Sequence, residues 1–117
     1  MAKTSSASIG VTVTGDGVTN SYVPPGSPVT NTAAPNGGTE DLVLAAGNNV
    51  VTLPAGAKGI VISPPTSSTN AKIIKGVAGD TGIGVLANAP LMLTFVAGTT
   101  VFSINSVGIE TVSVHWL

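Results

Sequence analysis

The one catalytic-looking triplet in the chain is Asp80-Thr81-Gly82. A lone carboxylate in such a triplet becomes useful when a second copy brings another beside it. The two then share one proton and divide the acid and base roles. Gly79 lies just before the triplet and Gly84 just after it. They make it a flexible turn in which Asp80 caps backbone amides, and this is the stronger reading. Glycines 76, 79, 82 and 84 also suggest a phosphate cradle. That device needs a helix to follow, whose N-terminal amides hold the anion, and here the pattern of a strand follows. His115 is the only histidine and cysteine is absent, so the three or four ligands of a metal site cannot gather around it. It reads as a surface or interface residue. Asp16, Glu40 and Asp41 could contribute oxygens to calcium, although their spacing matches no loop of defined register. No catalytic residue, metal site or cofactor is expected.

Lys72 and Lys75 bracket Ile73-Ile74. Outward lysines over inward isoleucines would protect a sheet edge against unwanted pairing, and they could also dock on an acidic partner. With Lys3 in the N-terminal stretch and Trp116 in the last strand, they are the candidate partner contacts. The remaining charge is thin. Charged residues make up 8%, arginine is absent and the net charge is -1. No basic stripe exists to grip a phosphate backbone, so nucleic acid is not an expected partner. Zero cysteines exclude disulfides and thiolate metal sites. MAKTSSASIG lacks the apolar run of a signal peptide. No stretch of ~20 apolar residues could form a spanning helix, so no membrane is expected and synthesis and folding are placed in a cytoplasm.

The elements that must position these residues are strands. Hydrophobic residues reach 43% but aromatics only 3%, so valine and isoleucine must fill the core, and both suit a pleated sheet. Fifteen glycines and eight prolines are spread along 117 residues, leaving little room for a long helix. Residues 1–8 read as a polar arm expected to order against a neighbouring chain, and residues 9–117 as one domain. Ile9, Val11 and Val13 alternate with small or hydroxyl residues, as in a half-buried strand. Gly15-Asp16-Gly17 turns the chain, and Val18 to Val23 returns as a hairpin. Residues 24–38 (PPGSPVTNTAAPNGG) read as a long irregular loop. Asp41–Ala45 and Val50–Leu53 flank Gly47-Asn48-Asn49 as a second hairpin. KGIVIS (58–63) reads as a strand buried on both faces and ended by Pro64-Pro65. Further strands are expected at 71–77, 83–86, 91–96, 100–104 and 109–116, the last with Val112, Val114 and Trp116 on one face. About nine or ten short strands predict an all-β sandwich. Long crossing loops at 24–38 and 63–70 favour a jelly roll over an immunoglobulin-like order.

Two resemblances follow. Asp80-Thr81-Gly82 resembles the single triplet of retroviral-type aspartic proteases, which act as dimers. The likeness covers three residues. Those enzymes place an apolar strand before the triplet and alanine after it, where this chain has Ala78-Gly79 and Ile83-Gly84. Their later apolar-apolar-glycine segment is matched poorly by Val107-Gly108-Ile109. Residues 50–117, through VTLPAGAKGIVISPP, NAKIIKGVAGDTGIGV and VSVHWL, resemble small virion proteins of tailed bacteriophages. That resemblance implies a structural particle component located in the virion, such as a capsid decoration protein. Its partners would be the major capsid protein or another virion protein, and further copies of itself, a trimer first. The alternatives are a tail or head-fibre adhesin and, more remotely, the dimeric protease. With mean hydropathy +0.50 and so few charges, self-association or docking is the expected behaviour.

Overall fold

Valine and isoleucine placed at every second residue bury one face of a strand and leave the other wet. In a computed structural model, which describes residues 3–22, 26, 29–34 and 39–117, that rule builds most of the molecule. Twelve strands occur among the described residues and no helix. The main body runs from Thr39 to Leu117 and packs two four-stranded antiparallel sheets face to face. Its strands are β5 (Thr39–Leu44), β6 (Gly47–Thr52), β7 (Gly59–Ser63), β8 (Lys72–Lys75), β9 (Ile83–Val85), β10 (Leu91–Thr94), β11 (Val101–Ser106) and β12 (Glu110–Trp116). One sheet has the order β10-β7-β12-β5 and the other β6-β11-β8-β9. The fold is an all-β sandwich.

The pairing has a simple logic. β8 and β9 form a hairpin, β7 pairs β10, β6 pairs β11 and β5 pairs β12. The eight strands therefore pair as one long hairpin wrapped on itself, and the wrap is locked where β7 meets β12 and β8 meets β11. The inner faces supply a core of Leu44, Val51, Leu53, Ile60, Ile62, Phe102, Ile104, Val112, Val114 and Trp116. β12 alternates as its sequence demands, with Val112, Val114 and Trp116 buried, Ser113 and His115 half-buried between them, and Thr111 exposed just before them. β7 is interior and its Gly59, Ile60 and Ile62 are buried.

Residues 39–53 depart from expectation. They do not make a hairpin: β5 and β6 lie in different sheets. Gly47, at φ 95°, takes a backbone conformation closed to most side chains, and the chain turns a corner there instead of doubling back. Asn49 fixes the corner. Its Oδ1 accepts the Ala45 amide at 2.9 Å, and its Nδ2 donates to the carbonyls of Ala45 (2.9 Å) and Ile104 (3.1 Å).

Before the sandwich come β1 (Lys3–Ala7), β2 (Val11–Gly15), β3 (Val18–Tyr22) and β4 (Val29–Ala34). β1 pairs β4 antiparallel with an irregularity between Lys3 and Ser5. Residues 3–7, expected as an arm held by another chain, are thus a strand within this one. Residues 29–34, expected as irregular loop, are its partner. Neither stretch alternates apolar with polar side chains, so only backbone pairing makes them strands. Residues 1–2 of the expected arm, 24–25, 27–28 and 35–38 of the expected loop, and Val23 at the end of the expected hairpin lie outside the described residues. Asn31, 3% exposed, anchors β4 to the sandwich by donating from Nδ2 to the Gly56 carbonyl at 2.8 Å.

Candidate functional site

The expected docking lysines sit differently from the edge pattern. β8 lies between β11 and β9 and is not an edge strand. Strand alternation puts Ile73 and Ile74 on opposite faces, and with them Lys75 and Lys72. Lys72 shares the inward face of Ile74 and is 3% exposed. Its ammonium forms an ion pair with Glu110, which links one sheet to the other at one end of the sandwich. Nζ also donates to the carbonyls of Asn70 at 2.9 Å and Ala87 at 3.2 Å, and reaches Ser68 Oγ at 3.5 Å. Burial pushes the Glu110 carboxyl up. The hydrogen bonds from Lys72, Ser68 and Asn70 and the Lys72 charge outweigh it and hold the carboxyl below its ordinary value. Lys72 is therefore no surface contact. Ser68 beside a lysine suggests a nucleophile with its base, but an ammonium held by a carboxylate has no lone pair to take the serine proton. The cluster is a polar clasp between the sheets.

Lys75 stays on the outer face, half-buried, and donates to the Ala78 carbonyl at 3.2 Å. Trp116 is 3% exposed and its Nε1 donates to Glu40 Oε1 at 2.8 Å, so within the single chain it is a core residue. Lys3 lies in β1, and its side chain is outside the described residues. Glu40 and Asp41 are neighbours on β5 and point to opposite faces, while Asp16 sits in the β2–β3 turn. Among the described residues no three His, Asp or Glu side chains gather to hold a metal.

Asp80 closes the loop between β8 and β9. Its Oδ2 accepts the Val77 amide at 3.0 Å and its own amide donates to the Val77 carbonyl at 3.1 Å, the turn-capping arrangement expected of it. Asp80→Ala should lower stability by only ~1 kcal/mol, as for a lost cap. Urea denaturation measures this, and a loss several times larger would mean that the carboxylate holds more than its loop.

The β2–β3 hairpin forms where the sequence places it, but the exposure of its apolar face was not anticipated. Asp16 (φ 48°) and Gly17 (φ 74°) make the two-residue turn with both φ values positive that suits a tight hairpin. The register pairs Val11 with Tyr22, Val13 with Asn20 and Gly15 with Val18, and alternately Thr12 with Ser21 and Thr14 with Thr19. One face is therefore Val11, Val13, Val18 and Tyr22 around Asn20, and the other is entirely hydroxyl. The apolar face was expected to be half-buried. Instead its four large side chains are 43–61% exposed, because among the described residues no sheet stands behind it. The signal was present in the alternation, but nothing in the sequence said where the covering layer would come from. The sandwich carries further uncovered aliphatics, among them Val43, Val50, Leu86, Val96 and Ile109 at 67–81% exposure.

No protein-family model matches the chain, and neither does any curated protein or solved structure.

Proposed function

We propose that the chain is a structural virion protein, foremost a capsid decoration protein that binds and stabilises an assembled shell as a small oligomer. The observation that carries this is the chemistry of the sandwich surface. Valine, leucine and isoleucine stand exposed on it where a soluble monomer would place charge, and the candidate lysine and tryptophan are turned to internal use. The pairing of eight strands as one wrapped hairpin supports reading the sandwich as a jelly roll, a stiff body suited to bridging neighbouring subunits. The likeness of residues 50–117 to phage virion proteins points the same way. An adhesin binding sugar would need an aromatic platform. Of the four aromatic residues, Tyr22 alone is exposed, so the decoration reading leads.

Attachment on this reading comes from apolar burial, worth ~25 cal/mol per Å² before the cost of association. With net charge -1 there is little for salt to screen. Raising salt from about 0.1 to 1 M should leave attachment to shells unchanged or slightly strengthened. Shells washed at both salts and assayed for released protein give the answer, and release at high salt would show that charges make the attachment.

A further inference from the structure

The clasp between the sheets has the form of a receptor holding its ligand. Lys72 Nζ carries three protons, and three acceptors meet them. These are the Glu110 carboxylate, the Asn70 carbonyl at 2.9 Å and the Ala87 carbonyl at 3.2 Å. They come from three separate places: the start of β12, the segment before β8 and the segment after β9. Each is held without help from Lys72. Glu110 pairs with Leu44 in the register of β12 on β5. The Asn70 amide donates to Ser68 Oγ at 3.3 Å. Its carboxamide lies so close against Gly108 that a Cβ there would stand 2.7 Å from Oδ1. The Val107 amide donates to the Ala71 carbonyl at 3.2 Å, fixing the same segment to the β11–β12 turn. Asn88 Nδ2 donates to the Thr66 carbonyl at 3.3 Å, which ties the segment of Ala87 to that of Asn70. The acceptors thus form a cage built by backbone and neighbouring side chains. The lysine stem enters it along the inward face that it shares with Ile74.

We infer that this cage is a binding site for primary ammonium ions, filled in the native chain by a tethered one, and that it takes a free alkylammonium once the tether is cut. The inference stands apart from shell binding. The chemistry selects narrowly. A buried carboxylate calls for a cation, three converging acceptors call for three N–H donors, and the channel left by the stem calls for an alkyl group. A quaternary ammonium brings the charge without a donor, and a metal ion brings it without the alkyl group. A stranded buried carboxylate is costly, and that cost drives entry of the ion. A ligand that binds only the folded chain then stabilises it with the logarithm of its concentration.

The test uses the full chain, with urea midpoints followed by Trp116 fluorescence. The midpoint of Lys72→Ala should rise steadily with the logarithm of n-propylammonium chloride concentration, because that ion replaces the atoms the substitution removes. Methylammonium should do less. Tetramethylammonium and potassium chlorides should do nothing beyond their effect on wild type. Lys72→Val keeps a branched side chain suited to the strand, in case alanine there does not fold. In that variant the best fit should move to the shorter ethylammonium. Adding Glu110→Gln to either variant should abolish the gain. The inference is overturned by any of four results. These are no gain in either variant, an equal gain from tetramethylammonium or potassium, an unchanged preference for alkyl length between the variants, or a gain that survives Glu110→Gln.

Discussion

Lys72→Ala should cost the fold about 3–5 kcal/mol, as expected when one member of a buried ion pair is removed and the other is stranded. Against a total stability of ~5–15 kcal/mol, that is a large share. The pair is deeply placed, with side chains 4% and 8% exposed, and the Glu110 carboxylate would keep only the smaller help of Ser68 and Asn70. The double variant Lys72→Met/Glu110→Leu should recover most of the loss, because it removes both charges from the interior. Acid supplies a sign test. Glu110 in the wild type is held below its ordinary value. Its contribution is therefore complete above the unfolded carboxyl value of ~4.3 and fades as pH falls through that value toward the folded one. In Lys72→Ala, burial would dominate and raise the carboxyl, so the deficit should be greatest at neutral pH and shrink as Glu110 takes up a proton. Urea denaturation at several pH values, followed by Trp116 fluorescence, reads both effects. A loss under ~1 kcal/mol, the size typical of solvated pairs, would contradict the clasp.

Trp116→Ala should be as damaging, at about 3–5 kcal/mol for a truncated core aromatic. The ring closes the core beside Val114 and Ile60, and its Nε1 proton is taken by Glu40. Trp116→Phe keeps much of the volume and should lose far less, including ~1 kcal/mol for the missing hydrogen bond. Circular dichroism in urea measures the isolated chain. Were Trp116 instead a partner contact, alanine there would leave the isolated chain's stability untouched and weaken only attachment to its partner.

These residues show where the sequence was legible. Alternation in β12 placed Val112, Val114 and Trp116 inside, and the same period counted back two residues puts Glu110 on that face. Lys72 stands likewise in phase with Ile74. An acid and a base, each in phase with core residues, needed each other, and that could have been read without coordinates. The corner at Gly47 could not. Glycine and asparagine serve a hairpin turn and a sheet-to-sheet corner equally well, and only the distant β11 and β12 decide which. β1 and β4 were hidden for a different reason: Ser, Thr and Ala without alternation leave backbone pairing as their sole signal. The ribbon's apolar face was visible in Ile9, Val11 and Val13, but its exposure is a property of the whole fold.

On the proposed function, this surface serves a shell. The most direct measurement is the copy number of the chain in purified virions, from quantitative mass spectrometry against the major capsid protein. A decoration protein should be present at a fixed ratio to the shell protein and in the same range of abundance. A few copies per particle, or none, would contradict the decoration reading.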